Sequence, residues 1–163
     1  MKGSWGFIAL LFIGCANKTR NMASETEGNF LLGRPSTAWE RQPAGGADYA
    51  WVNAAQMSTI YADSNCKRHF QDARLPDLLT HLTAGIAKGP PVREEQMTLD
   101  QRAALMRVYN GVLDGVPVRM GAVVINKDEC TYDVVYVAPP NRFEEGWADF
   151  VTVMSGFRTT GPR

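Results

Sequence analysis

The densest gathering of reactive side chains in the sequence is Cys66-Lys67-Arg68-His69, with Asp72 three residues beyond and His81 further along. A thiol, two cations and an imidazole so close together could lower a thiol pKa and yield a nucleophile, with Asp72 orienting the histidine. Cys66, His69, Asp72 and His81 are also ligand types for a metal. Structural zinc sites need compact ligand pairs, however, and a single Cys-x-x-His pair stands here without a second. No glycine-rich phosphate loop, Gly-x-Ser-x-Gly elbow or His-Glu-x-x-His helix accompanies it. The paired carboxylates Glu94-Glu95 and Glu144-Glu145 fall beside an expected loop or helix start, where solvation and helix-end electrostatics account for them better than acid-base chemistry does. The residues therefore predict no catalytic group, no metal and no cofactor, and a chain that is not an enzyme. A thiol enzyme using Cys66 is the alternative.

Charge and length narrow the field further. Seventeen Lys and Arg balance seventeen Asp and Glu, so nothing draws the whole chain towards nucleic acid. With 163 residues, 45% of them hydrophobic, one domain with its own core is expected. No apolar run reaches the length of a membrane-spanning helix. Met1 to Cys15 nevertheless has the form of a secretory signal: Lys2, then a compact apolar run from Trp5 to Ile13, then the small Gly14. Phe12-Ile13-Gly14-Cys15 resembles the lipobox of bacterial lipoproteins, with Phe12 where Leu is commonest.

That resemblance implies cleavage before Cys15 and lipid on its sulfur and on the new amino terminus. Each buried methylene contributes roughly 0.8 kcal/mol, so several acyl chains hold a protein where one is marginal. Ala16 stands where an inner-membrane retention Asp would be, which implies anchoring on the periplasmic face of the outer membrane. The implied organisation is a signal peptide over 1–14, a lipidated polar tether over 15–28, and one domain over 29–163. With Cys15 given to lipid, Cys66 and Cys130 remain in a compartment that permits disulfides, and the even pair favours a bond. The alternative is two buried free thiols.

The elements that must position these residues are legible from spacing. Phe30-Leu31-Leu32 opens the ordered chain, and Gly33-Arg34-Pro35-Ser36 breaks it before Trp39. Tyr49–Asn53 and Met57–Ala62 read as strands joined by Ala54-Ala55-Gln56. Leu75, Leu78, Leu79, Leu82 and Ile86 form a helical stripe over about 76–87, ended by Gly89-Pro90-Pro91, with His81 off the stripe. Strands over 101–112, 118–125 and 130–138 follow, turning at Asp114-Gly115 and at 126–129. Asn141 and Glu144 suit the start of a last helix, whose Phe143, Trp147, Phe150, Val151, Met154 and Phe157 share one face.

This pattern predicts an α+β domain in which helices cover an antiparallel sheet. Phe30-Leu31-Leu32, Pro35, Trp39, Tyr49-Ala50-Trp51-Val52, the meander from Leu105 to Tyr136 and Phe143 through Phe157 resemble the PsbP-like fold. The resemblance implies a three-layer α/β/α sandwich and a scaffold for partners. The expectation is a lipid-anchored, periplasmic, non-enzymatic module that binds another envelope protein or supports an assembly. A second expectation is a small-ligand carrier with its pocket between the final helix and the sheet.

Overall fold

The computed structural model describes residues 30–66 and 73–160. In chain order the elements are β1 (Phe30–Leu31), β2 (Glu40–Arg41), β3 (Tyr49–Asn53), β4 (Ser58–Asn65), α1 (Leu75–Leu82), β5 (Arg93–Leu99), β6 (Arg102–Leu113), β7 (Val116–Lys127), β8 (Cys130–Ala138), α2 (Phe143–Ser155) and β9 (Arg158–Thr159). Seven strands form one antiparallel sheet in the order β2-β3-β4-β8-β7-β6-β5, while β1 and β9 make a separate two-stranded ribbon. The described residues are mostly antiparallel sheet with two helices.

Alternation along the strands separates two apolar clusters. Ile60, Tyr132, Val134 and Tyr136 turn to one face, where they meet Phe143, Phe150, Val153 and Phe157 from α2 and the residues after it. Tyr61, Val124, Val135 and Val137 turn to the other, against Leu78 and Leu79 of α1. Each hairpin of the meander closes through two residues with positive φ: Asp100-Gln101, Asp114-Gly115 and Asp128-Glu129. Such turns match the natural twist of paired strands.

Three details differ from the spacing argument. The first helix stops at Leu82, because Gly85 takes φ +85° and the chain from Ile86 runs on as a backbone partner of β6, with Ala87 opposite Gly111. Ile86 still packs on the α1 cluster, so the helical stripe reported contacts correctly beyond the helix itself. Arg93–Leu99 is an edge strand: Glu94 and Glu95 lie on β5, and Glu94 forms a 2.6 Å ion pair with its cross-strand partner Arg107. The last helix begins at Phe143 behind Arg142, with no side-chain cap, so Asn141 does not cap it.

A disulfide joins Cys66 to Cys130 across 64 residues, tying the end of β4 to the start of β8. Nearby, Lys127 Nζ and the backbone N–H of Thr159 both donate to Asp100 Oδ2, at 2.6 and 2.8 Å. These bonds, Lys127 first, hold the Asp100 carboxyl below its usual pKa. Cross-linking so long a loop is worth on the order of 4 kcal/mol in the chain-entropy account. The paired variant Cys66→Ser/Cys130→Ser is therefore expected to unfold at a clearly lower denaturant midpoint with an unchanged far-ultraviolet spectrum. An unaltered midpoint would mean that the bond contributes nothing to stability.

Candidate functional site

The segment after β1 is fastened at three places. Tyr49 Oη donates to the carbonyl of Phe30 at 2.9 Å, and the N–H of Gly33 donates to the carbonyl of Val153 at 2.9 Å. Farther along, Asp149 of α2 accepts from the Ser36 N–H at 2.7 Å, the Ser36 hydroxyl at 3.1 Å and Trp39 Nε1 at 2.9 Å. The approach to α2 is so close that a Cβ on Gly33 would sit 1.9 Å from the Thr152 carbonyl oxygen. Glycine is required there by space. Held this way, the segment, Trp39 included, forms one wall of a groove of about 570 Å³ whose other wall is the β2–β3 edge with Arg41, Tyr49 and Trp51.

Tyr49 and Trp51 are two residues apart on β3, so both project to the α2 face, and their rings stack at 5.5 Å. The Arg41 guanidinium lies over both rings, 4.3 Å from Tyr49 and 5.0 Å from Trp51, and donates to the Asp48 carbonyl at 3.2 Å. Two ring faces and a carbonyl thus fix the plane of an exposed cation. Neither Arg41 nor Arg34, also on this groove, has an ion-pair partner among the described residues. One oriented guanidinium with unused donors beside an aromatic wall, with the exposed Arg34 lining the same groove, can bind an anion with an apolar neighbour.

A second cluster lies on the α1 face. Asp63 of β4 and Asp133 of β8 are directly opposite one another. Asp63 Oδ1 accepts the Ser64 N–H at 2.9 Å, and Asp48 accepts the Ser64 hydroxyl at 2.6 Å. Asp133 Oδ1 is enclosed and has no hydrogen-bond partner among the described residues. Burial, then the charges of Asp63 and Asp48, push the Asp133 carboxyl up to about 7. Burial first, and then the charges of Asp133 and Asp63, raise Tyr61 to about 12. Among the described residues no group of three or more His, Cys, Asp or Glu side chains is arranged to hold a metal.

Of the residues singled out by chemistry, Cys66 is bonded to Cys130 and His81 is exposed on α1. Cys15, Lys67, Arg68, His69 and Asp72 lie outside the described residues. Glu144 and Glu145 occupy the first turn of α2. The aromatic face of α2 is core: Phe143, Phe150 and Phe157 are buried on the sheet, and Trp147 packs on Phe143 and Phe150 with Arg93 over its ring at 4.9 Å. Among the described residues these side chains fill the space between the middle of α2 and the sheet, while a cavity of about 250 Å³ lies beside Phe143 and Glu144, lined by Val92, Arg93, Val108 and Arg119. An open groove lies beside β2, and the one sequence signal pointing to it is the aromatic pair Tyr49 and Trp51, spaced by two on an expected strand.

No known family model matches the chain, and no curated protein matches it in sequence. Solved structures do resemble it in fold. A Pseudomonas aeruginosa protein of unknown function, PA94, is 15% identical, with 88% of each chain covered and a TM-score of 0.50. The cyanobacterial PsbP, CyanoP, from Synechocystis sp. PCC 6803 is 10% identical over 83% of this chain and 95% of that one, with a TM-score of 0.54. A Bacteroides thetaiotaomicron VPI-5482 protein is 6% identical, covering 83% of this chain and 49% of that one, with a TM-score of 0.56. At these identities the likeness is one of fold.

The raised carboxyl of Asp133 has a consequence for stability. Between about pH 4 and its folded value near 7 the folded protein keeps a proton that the unfolded chain has released, so stability falls as pH rises through that window. Asp133→Asn removes the ionisation and is expected to stabilise the protein by about 1–3 kcal/mol near pH 8, with little change near pH 4. Thermal unfolding followed across that range is the check; an equal effect at both ends would place the cost elsewhere.

Proposed function

We propose that the chain is a lipid-anchored envelope protein of the periplasmic side, most simply of the outer membrane, whose domain binds another envelope protein without catalysing a reaction. The observation that carries the binding role is the braced groove beside β2, where Arg34 and Arg41 are exposed with no acidic partner among the described residues. A guanidinium held in place over two ring faces, as Arg41 is, loses less freedom on meeting an anion, which favours binding there.

The anchor rests on the sequence around Cys15 and on the fatty-acid energetics that a triacylated terminus supplies. The disulfide supports an oxidising compartment. It also takes the thiol of Cys66 out of nucleophilic chemistry. Within the described residues no helix is long and apolar enough to cross a membrane. Placement of α1 and α2 against opposite faces of the sheet favours the three-layer α/β/α arrangement of the PsbP-like class.

Growth of a bacterial host producing the full chain with an alkyne-tagged fatty acid tests the anchor. Label is expected on the protein and its membrane fractionation should depend on it, while Cys15→Ser should remove the label and retain the leader in the intact mass. Unlabelled wild-type protein whose mass still begins at Met1 would refute the anchored reading.

A further inference from the structure

Arg41 offers more than its side chain. In the β2–β3 pairing, Gln42 donates its N–H to the carbonyl of Ala50, and Glu40 pairs with Val52. Antiparallel strands alternate inward and outward backbone groups, so the N–H and C=O of Arg41 point away from β3. Strand β2 is the last of the sheet on this side, and no hydrogen bond reaches the Arg41 backbone from the described residues. An outward donor, an outward acceptor and an oriented guanidinium therefore coincide at one exposed residue.

We propose that the β2 edge accepts an extended acidic segment of a partner protein as an added strand, with one carboxylate on Arg41 and a second within reach of Arg34. The inference rests on the binding role proposed above and gives the partner its chemistry. Main-chain bonds to an open edge supply affinity in this mode, and alternate side chains supply selectivity. A residue opposite Arg41 on the added strand would share its α2 face, where an opposite charge is a favourable cross-strand pair.

Charge also distinguishes the two edges of the sheet. The far edge, β5, carries Glu94 and Glu95, which repel an acidic strand and guard that edge. At the β2 edge Glu40 projects to the opposite face from Arg41, and the carboxylate of Asp149 is already spent on Ser36 and Trp39. Binding to an anionic lipid surface draws on clusters of cations, and two arginines in a chain of no net charge are too few for it.

The test uses the full chain in neutral detergent micelles and a fluorescein-labelled octapeptide alternating glutamate and valine, read by anisotropy. Saturable binding is expected, at least about tenfold weaker for Arg41→Glu and for the octapeptide with lysine in place of glutamate. The lysine peptide should in turn regain affinity for Arg41→Glu. N-methylation at every second peptide nitrogen should weaken binding in one phase and spare it in the other, because only one edge of the added strand faces β2. Arg41→Gln replaces Arg41→Glu if the latter unfolds.

No saturation, equal affinity for wild type and variant, or equal effects of the two methylation phases would overturn the proposal. So would Arg41-dependent binding of phosphatidylglycerol vesicles in place of the peptide. Peptide binding by a chain that takes up no fatty acid would remove the anchor and leave this inference standing. A labelled, membrane-bound chain that ignores the peptide would remove this inference alone.

Discussion

Strand β8 stands at the middle of the seven-stranded sheet, and both of its faces must be covered. Tyr132, Val134 and Tyr136 project to one side and Val135 to the other, all of them buried. Removing that much apolar surface from water is worth on the order of 2 kcal/mol per large side chain, provided each face has a lid. Helix α2 closes the aromatic face, where Tyr136 donates its hydroxyl to the Phe143 carbonyl at 2.8 Å. Gly146 allows this approach, since a Cβ there would lie 2.6 Å from that hydroxyl. Helix α1 closes the other face through Leu78 and Leu79. The disulfide at Cys130 then pins β8 to β4 at the end where the strand begins.

A centre fixed in this way leaves the sheet edges as the places free to interact. They are handled differently. On one side β5 is long and studded with charge, with Glu94 paired to Arg107. On the other, β2 is two residues long, and beside it the segment from Gly33 to Trp39 is braced on α2. The groove exists because that segment follows the helix while β2 follows the strands. Asp133 is the one carboxylate in the central strand, and its enclosed oxygen takes no part in the groove.

Much of this was legible in the residues. The α2 stripe and the alternation of Cys130–Ala138 identify core, because apolar periodicity reports burial directly. The Asp114-Gly115 hairpin was visible for the reason that turn chemistry is local. β5 was not visible: Arg-Glu-Glu-Gln has the composition of a loop, and only the neighbouring β6 makes it a strand. Likewise Ile86 continues the α1 stripe by spacing while its backbone has left the helix to join β6. Arg41 looks ordinary in sequence, since its two ring contacts and its outward backbone come from β3 and the sheet boundary. The pairing of Cys66 with Cys130 was legible because an even pair of cysteines in an oxidising compartment favours a bond, and the structure has that bond.

Amide hydrogen exchange, followed residue by residue on the full chain, tests most directly whether a rigid centre carries an open edge. Amides of Val134, Val135 and Tyr136 should exchange only through global unfolding, while the Arg41 amide should exchange at close to the rate of a free peptide. Protection of Arg41 matching that of β8 would mean the edge is already covered, and the account of the groove would be wrong.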